Sequence, residues 1–179
     1  YINIYIRREL YENMKILVTG GAGFIGSHVT EELLNQGHEV AVFDDLSKGY
    51  REYVDKRAVF FKASLENKKI LEKALKGQEA VIHLAAESII KDSIENPETH
   101  LKKNITYAIN LFEGMRKAGI KNLVFSSSAA VYGEPKEKRA IKEDTPKNPL
   151  QPYGASKLAI EDILKAYYNC FGINSVSLR

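Results

Sequence analysis

The sequence has one cysteine, little net charge and no long apolar run, and each of these shortages excludes a class of protein. Cys170 alone cannot build a disulfide framework, which favours a reducing, cytoplasmic location. One cysteine and four scattered histidines show no metal-ligand spacing, so we predict no metal site. Because no apolar run approaches the length of a transmembrane helix, we expect no membrane partner.

The charge balance does not favour a nucleic-acid partner. Lys and Arg number 26 against 23 Asp and Glu, which leaves a net charge of only +3. No basic block is interleaved with aromatic residues, and the short charged run from Lys136 to Arg139 is interpreted as a solvated loop. We therefore predict no nucleic-acid binding.

The chain divides into a short extension and one domain. Residues 1–13 precede Met14 and lack the continuous apolar segment of a signal peptide, so they are predicted to be an N-terminal extension of unknown role. Residues 14–179 are long enough to bury one core and show no internal domain boundary.

The stretch from Met14 to Gly26 has the pattern of a strand, a glycine turn and a helix start. Residues 16–18 form a short aliphatic run typical of a buried strand. Four glycines follow it: Gly20, Gly21, Gly23 and Gly26. A helix is then predicted from Phe24 to Gln36, with Ile25, Val29 and Leu33 on one face. Free N–H groups at a helix start, approached closely through glycine, favour binding of a pyrophosphate.

A second strand, Glu39 to Phe43, ends at Asp44. An acidic side chain there can accept hydrogen bonds from adenosine ribose hydroxyls, and its charge would repel a 2′-phosphate. This favours NAD over NADP as the cofactor, although Lys48 and Arg51 are nearby. The alternative is a purely structural turn with a solvated aspartate, which the combined strand, glycine and helix context makes the weaker interpretation.

Strands and helices alternate along the rest of the domain, which is typical of a doubly wound parallel α/β sheet. Further strands are predicted at residues 58–61, 80–84, 122–126 and 173–178. Further helices are predicted at residues 67–76, 97–118 and 153–171.

Polar residues at two places in the sequence indicate a reaction site at the edge of this sheet. The strand at 122–126 runs into Ser126, Ser127 and Ser128, and ligands of open α/β sheets bind at the carboxyl ends of strands. Tyr153 and Lys157 lie four residues apart at a helix start, so they share one face, and a lysine ammonium can lower the pKa of a phenol. Such a tyrosine can act as a general acid or base near neutral pH.

Tyr-x-x-x-Lys alone is a weak signal. It occurs three times, and the other two copies, Tyr11 with Lys15 and Tyr132 with Lys136, fall at a strand and at a proline turn. The alternative for the third copy is a tyrosine that anchors the helix and a solvated lysine. The glycine turn and the strand-end serines favour the catalytic interpretation.

Five motifs resemble the extended short-chain dehydrogenase/reductases, and among them the NAD-dependent epimerases and dehydratases of the UDP-glucose 4-epimerase group. They are Thr19-Gly-Gly-Ala-Gly-Phe-Ile-Gly26, Asp44-Asp-Leu-Ser47, His83-Leu-Ala-Ala86, Ser126-Ser-Ser-Ala-Ala-Val-Tyr-Gly133 and Pro152-Tyr-Gly-Ala-Ser-Lys157. The resemblance covers Met14 to Arg179 and implies a Rossmann fold.

The resemblance implies a role for each matching residue. Tyr153 would be the catalytic base, Lys157 its pKa-lowering partner, and Ser128 the catalytic hydroxyl. The implied cofactor-binding residues are Gly20, Gly23, Phe24, Ile25, Gly26, Asp44, Asp45, Ser64, Leu65, Leu84, Ala85, Ala86, Asn104, Tyr153 and Lys157. His83 lies in the family's fourth-strand motif, and we interpret it as a packed strand residue.

The implied reaction is epimerisation through a 4-keto sugar, with Tyr153 removing the proton of the 4-hydroxyl while hydride passes to NAD and back to the other face. The implied substrate is a nucleotide sugar, most simply UDP-glucose or UDP-galactose. The rivals are a UDP-N-acetylglucosamine or UDP-glucuronate 4-epimerase, a decarboxylase, a reductase, a non-catalytic dinucleotide-binding protein and an assembly module.

The sequence departs from the family pattern at four places. Ala63-Ser64 stands where a Gly-Asp pair usually meets adenine, and Asn104-Ile-Thr-Tyr107-Ala108 gives a bulkier helix motif. Ala129-Ala130 replaces the Asp-Glu pair of the 4,6-dehydratases, which argues against dehydration. Family members continue beyond the position of Arg179 into a smaller UDP-sugar domain, so we expect a fragment or truncated form with weak or no activity. In the family that the sequence resembles, helices such as those at 97–118 and 153–171 pair across a dimer, so the resemblance implies a homodimer.

Overall fold

The computed structural model of the chain describes residues 13–134 and 140–179. The predicted extension, apart from Asn13, and the charged run at 136–139 lie outside the described residues.

Six parallel strands form one sheet in the order β3-β2-β1-β4-β5-β6. The strands are β1 Lys15–Thr19, β2 Glu39–Asp44, β3 Val59–Lys62, β4 Ala80–His83, β5 Asn122–Ser126 and β6 Asn174–Leu178. The helices are α1 Phe24–Asn35, α2 Lys68–Leu75, α3 Ile90–Glu95, α4 Pro97–Leu101, α5 Tyr107–Ala118 and α6 Pro152–Phe171. The predicted Rossmann-type α/β sheet is confirmed. The strand order reverses at β1 and β4, the place where such sheets bind ligands.

Apolar residues pack on both faces of the sheet, as a sheet buried between helices requires. The larger cluster joins β1, β2, β4 and β5 to α2, α5 and α6, and includes Leu17, Phe43, Leu71, Phe112 and Leu164. The smaller cluster lies on the other face and includes Ile16, Val18, Val40 and Val42. Within residues 13–134 and 140–179, every helix is too short or too polar to span a membrane.

The apolar face predicted for α1 is only partly buried, because Leu33 packs against the smaller apolar cluster but Ile25 does not. Ile25 is 60% exposed, and the residues that α1 buries are Gly26 and Thr30. A Cβ at Gly26 would lie 2.7 Å from the Cα of Gly21, so α1 packs through a position that has no side chain. Gly26 rather than Ile25 therefore meets the turn, and Ile25 lies in the wall of the cavity described below.

The predicted helix at 97–118 is helical throughout but changes its winding. Residues Lys102–Thr106 form a π-helical turn between α4 and α5, and Asn104 is buried in that turn. Hydrophobic periodicity did not predict this turn, nor the short helix α3 or the 3-10 turn at Ala129–Tyr132. These short elements lie beside the candidate site.

Candidate active site

A cavity of about 470 Å³ opens at the carboxyl edge of the sheet, beside the ends of β1, β2 and β4. All fifteen predicted cofactor-binding residues line it: Gly20, Gly23, Phe24, Ile25, Gly26, Asp44, Asp45, Ser64, Leu65, Leu84, Ala85, Ala86, Asn104, Tyr153 and Lys157. Its size is within the usual range for small-molecule sites.

Gly20 and Gly26 are required by the packing of the protein itself. Gly20 has a φ of +74°, and a Cβ there would lie 2.7 Å from the backbone nitrogen of Ala85. A Cβ at Gly26 would overlap the carbonyl oxygen of Gly20. The two glycines therefore let the turn, β4 and α1 meet without side chains between them.

Gly23 is different, because neither its backbone nor its protein neighbours require glycine. Its φ of −82° suits any residue, and a Cβ would have only the Gly20 carbonyl oxygen nearby, at 3.4 Å. The missing side chain leaves room on the cavity side instead. Gly23 is also the N-cap of α1, which has no side-chain cap and no acidic residue in its first turn. The residues present therefore fit a pyrophosphate at this helix start.

Asp44 lies at the end of β2 and forms the next part of the cavity wall. Its carboxylate accepts the N–H of Ala22 at 3.1 Å and that of Leu46 at 2.8 Å. Burial raises the pKa of Asp44, against the opposing effect of these two hydrogen bonds. A carboxylate offers about four acceptor positions, so it retains capacity for the two hydroxyls of a ribose.

Ala63 and Ser64 line the cavity after β3, where the family usually has Gly-Asp. The Ser64 hydroxyl accepts the N–H of Glu66 at 3.2 Å. A hydroxyl and a methyl group therefore line the part of the cavity where the resemblance predicts the adenine.

Lys157 is buried on the first turns of α6, with 3% of its surface exposed. Its Nζ donates to the carbonyl oxygen of Ser126 at 2.8 Å and lies 5.7 Å from the centre of the Tyr153 ring. Burial lowers the pKa of Lys157 to about 8. The predicted pair thus shares one face of α6 and one cavity, with a cation beside the phenol ring. This arrangement can support proton transfer by the tyrosine.

The three serines after β5 have different surroundings. Ser126 lines the cavity, whereas Ser128, although in the described part of the chain, does not. The Ser128 hydroxyl accepts the N–H of Ala130 at 3.1 Å and caps the 3-10 turn. The structure therefore brings Tyr153 and Lys157 together with Ser126 in the cavity wall, and Ser128 is not among the lining residues.

Asn104 fastens the loop after β4 to the start of α6. Its side-chain oxygen accepts the N–H of Glu87 at 2.8 Å, and its amide nitrogen donates to the Glu87 carbonyl and to the Ser156 hydroxyl. The Ser156 hydroxyl in turn donates to the carbonyl of Tyr153 at 2.7 Å. The buried amide thus helps to hold the backbone that carries Tyr153.

His83 is buried, as a packed strand residue should be. Its ring stacks on Phe125, packs edge-on against Phe112, and its Nδ1 lies 2.7 Å from the Thr19 hydroxyl oxygen. Burial, helped by the nearby Lys157 charge, lowers the pKa of His83 to about 3. The predicted packing role is confirmed.

Several residues of the cavity wall were not among the predicted cofactor contacts, although Ser126 had been predicted as part of the reaction site. They are Phe43, Ser47, Lys48, Gly49, Ala63, His83, Glu87, Ser88, Lys103, Tyr107 and Ser126. Lys103 and Glu87 form an ion pair of 2.7 Å between the π-helical turn and the loop after β4. The two residues are far apart in the sequence, so the sequence alone does not predict this pair. The polar residues that follow the strand β4 could have indicated that this loop lines the site.

Comparison with known proteins assigns the family. Residues 16–179 match the NAD dependent epimerase/dehydratase family. A UDP-glucose 4-epimerase of Lactobacillus helveticus is 44% identical over 168 residues, which are 93% of this chain and 51% of that protein. The chain therefore spans about half the length of the curated relatives that it matches.

Two solved structures have the same fold over nearly the whole chain. A UDP-glucose 4-epimerase of Thermus thermophilus in complex with NAD has a TM-score of 0.89 and 44% identity, and covers 93% of this chain and 54% of its own. A UDP-N-acetylglucosamine 4-epimerase of Methanobrevibacter ruminantium with UDP-N-acetylmuramic acid has a TM-score of 0.87 and 35% identity, with shares of 94% and 55%.

This chain belongs to the NAD-dependent epimerase/dehydratase family. The predicted resemblance is confirmed, and the prediction of NAD as the cofactor is confirmed at the level of the family.

Proposed function

We propose that this chain is the NAD-binding and catalytic part of a nucleotide-sugar 4-epimerase whose substrate is a UDP-hexose, UDP-glucose or UDP-galactose. One observation carries the proposal. The glycine turn at α1, the ribose-binding candidate Asp44 and the pair of Tyr153 with Lys157 line a single cavity. A dinucleotide held by the first two would extend towards the third.

In the proposed reaction Tyr153 takes the proton from the sugar 4-hydroxyl and later returns it. The ammonium of Lys157 lies 5.7 Å from the centre of the phenol ring, beside the group that would carry the proton. NAD, when bound, supplies the acceptor and then the donor of the hydride. Ser128 is the proposed second hydroxyl at the sugar oxygen. Because the hydride and the proton both return to the sugar, the reaction consumes no external oxidant or reductant.

The choice of a 4-epimerase over its rivals rests on residues in and beside the cavity. Ala129 and Ala130 offer no acid or base for the dehydration that an Asp-Glu pair would perform. The Tyr153, Lys157 and Ser128 set is complete, which argues against a dinucleotide-binding protein without activity. The UDP-N-acetylglucosamine 4-epimerase of similar fold makes an N-acetylated hexose the second candidate substrate.

The assembly and location belong to the same proposal. We propose a cytoplasmic homodimer that pairs through α6 and the helical run at 97–118. Light scattering on the purified protein tests the dimer, and a monomer at micromolar concentration would contradict it.

The function is tested on the complete reading frame that contains residues 1–179, incubated with UDP-glucose and a catalytic amount of NAD. We expect UDP-galactose to accumulate to a stable ratio, and a Tyr153→Phe variant that still binds NAD to form none. An unchanged UDP-glucose peak from protein shown to bind NAD would exclude the hexose assignment and direct the assay to N-acetylated and uronic sugars. We expect the 179-residue chain alone to bind NAD with weak or no turnover.

A further inference from the structure

The proposed catalytic hydroxyl lies on a short piece of chain that is tied to α6 and β6 at three points. We call residues Ser126–Tyr132 the serine segment. It begins at the last residue of β5 and ends with the 3-10 turn. Lys157 holds the first point, the Ser126 carbonyl, at 2.8 Å. The second and third points depend on Glu161 and Arg179, to which the proposed reaction assigns no role.

Glu161 follows Lys157 by four residues on α6, so the two charges share one face of the helix. Although it is an acid, Glu161 is only 3% exposed. Its carboxylate accepts the hydroxyl of Ser127 at 2.6 Å and both the Nε and one terminal nitrogen of Arg179 at 2.8 Å. Lys147 lies 3.9 Å away. A buried carboxylate needs such partners, since an unpaired one is strongly destabilising.

Arg179, directly after β6, completes the arrangement. Its second terminal nitrogen donates to the hydroxyl of Tyr132 at 2.8 Å, at the far end of the serine segment. Burial by itself would raise the pKa of Glu161, but the hydrogen bonds from Arg179 and Ser127 outweigh it and hold that pKa below its usual value. The carboxylate therefore stays ionised, and one ion pair fixes both ends of the turn that carries Ser128.

The fit between α6 and the serine segment is close. A Cβ at Gly154 would lie 2.5 Å from the carbonyl oxygen of Ala130, so the segment rests directly on the helix backbone. Ser128 sits between the points held by Glu161 and Arg179. Among the residues that the structure describes, the hydrogen bond of its own side chain is to the N–H of Ala130, within the turn. The position of its hydroxyl thus depends on the ties on either side.

We propose that Glu161 and Arg179 are positioning residues for the reaction, which fix the serine segment and so place Ser128 and the Lys157 ammonium against Tyr153. This inference rests on the proposed function for its catalytic consequence. Its structural part concerns residues of this chain alone and is tested without cofactor or substrate.

The first test measures amide hydrogen exchange in the complete protein without added ligand. Ser127→Ala removes the hydrogen bond between Ser127 and Glu161. Glu161 stays paired with Arg179, so no buried charge is left unpaired and the fold should survive. We expect exchange in residues 126–132 to rise about tenfold or more with β1 and α1 unchanged, and Ser127→Thr, which keeps a hydroxyl, to restore protection. Ser175→Ala, on β6, is the matched serine control. Unchanged exchange in Ser127→Ala, or no recovery in Ser127→Thr, would overturn the proposal.

The second test measures turnover in the complete protein. We expect Ser127→Ala to lower kcat about tenfold with KM for the UDP-sugar nearly unchanged, because a misplaced group costs rate more than binding. Glu161→Gln should lower kcat at least as much, and the Ser127→Ala, Glu161→Gln double variant should lose less than the product of the single losses. Independent, multiplicative losses would contradict action through one contact. If the wild-type protein epimerises no nucleotide sugar, the proposed function fails while the exchange test still decides the positioning role.

Discussion

The ammonium of Lys157 donates to the carbonyl oxygen of Ser126 at 2.8 Å, so a buried charge on α6 is fastened to the backbone at the end of β5. This contact fixes where the cation lies relative to the Tyr153 ring. It also means that the cation has little water around it, since one carbonyl and the Phe125 ring, 4.9 Å from Nζ, take the place of solvent. A lysine in such surroundings has a measurable effect on stability.

The first prediction concerns stability at alkaline pH. Burial lowers the pKa of Lys157 from 10.5 to about 8, so between these values the unfolded chain binds a proton that the folded chain has lost. The free energy of unfolding therefore rises with pH through this window, and the contribution of Lys157 should grow by about 2 kcal/mol between pH 7.5 and pH 10. Urea unfolding of the wild type and of Lys157→Met at both pH values measures it.

The matched control for this experiment is Lys165→Met. Lys165 lies on the same helix, but its side chain is 66% exposed and pairs with Asp162 at the surface. We expect its pH dependence to match that of the wild type. Parallel curves for the wild type and Lys157→Met would contradict a buried, proton-losing lysine at this site.

The second prediction distinguishes the serines at the end of β5. If Ser128 supplies the catalytic hydroxyl, Ser128→Ala should lower kcat about 100-fold, a typical effect of a group that shares a proton in the transition state. Ser126→Ala should cost less than about tenfold, because Ser126 holds Lys157 through its backbone carbonyl, which the substitution keeps. Steady-state kinetics of the complete protein on its nucleotide sugar decide the question.

If Ser126→Ala lowered kcat more than Ser128→Ala, the catalytic hydroxyl would be assigned to Ser126. That outcome has a structural basis, because Ser126 lines the cavity and Ser128 is turned to the N–H of Ala130. Equal, small effects would leave Tyr153 as the sole proton-transfer group.

Features that depend on local sequence could be predicted. The β1–glycine turn–α1 unit is encoded within about a dozen residues, and its anion-binding geometry follows from helix and glycine chemistry alone. The strand order brings the other predicted cofactor contacts to one edge of the sheet, because the carboxyl ends of parallel strands meet there. For this reason every predicted cofactor contact lines the cavity, from Gly20 at the turn to Lys157 on α6.

Features that depend on packing between distant segments could not be predicted from the sequence. The exposed position of Ile25 follows from the contact of Gly26 with the turn, which a hydrophobic pattern does not record. The π-helical turn around Asn104 is fixed by hydrogen bonds to Glu87 and Ser156, 17 and 52 residues away. The bond of Ser127 to Glu161 likewise spans 34 residues.

The third prediction compares two glycines of the turn that is proposed to bind the pyrophosphate. Gly23→Ala should leave the fold intact, because the backbone suits alanine and no protein atom lies closer than 3.4 Å to the new Cβ. The methyl group would occupy the space proposed for the pyrophosphate, so NAD should bind about tenfold more weakly or worse. Gly26→Ala should instead lower the free energy of unfolding by about 1–3 kcal/mol, because its Cβ overlaps the Gly20 carbonyl.

Calorimetric titration with NAD and urea unfolding of the same two variants measure both effects. Gly23→Ala should weaken NAD binding while the fold stays intact, whereas Gly26→Ala should lower the free energy of unfolding. A Gly23→Ala variant that binds NAD as tightly as the wild type would exclude the pyrophosphate from this turn, and the cofactor would have to lie elsewhere in the cavity.

The last prediction concerns the choice between NAD and NADP. Asp44 keeps acceptor capacity beyond its bonds to Ala22 and Leu46, and its negative charge faces the place proposed for the adenosine ribose. Asp44→Asn keeps the shape but removes the charge, so it should weaken NAD binding about tenfold through the loss of charge-assisted hydrogen bonds. The same change removes the repulsion of a 2′-phosphate, so NADP binding should not fall and the preference for NAD should narrow by at least that factor.

Glu52→Gln, which makes the same charge change at an exposed position outside the cavity wall, should leave the ratio of the two dissociation constants at its wild-type value. If Asp44→Asn and Glu52→Gln gave the same ratio, the selection of NAD would have to come from the shape of the cavity or from Lys48, and Asp44 would serve only to hold the turn.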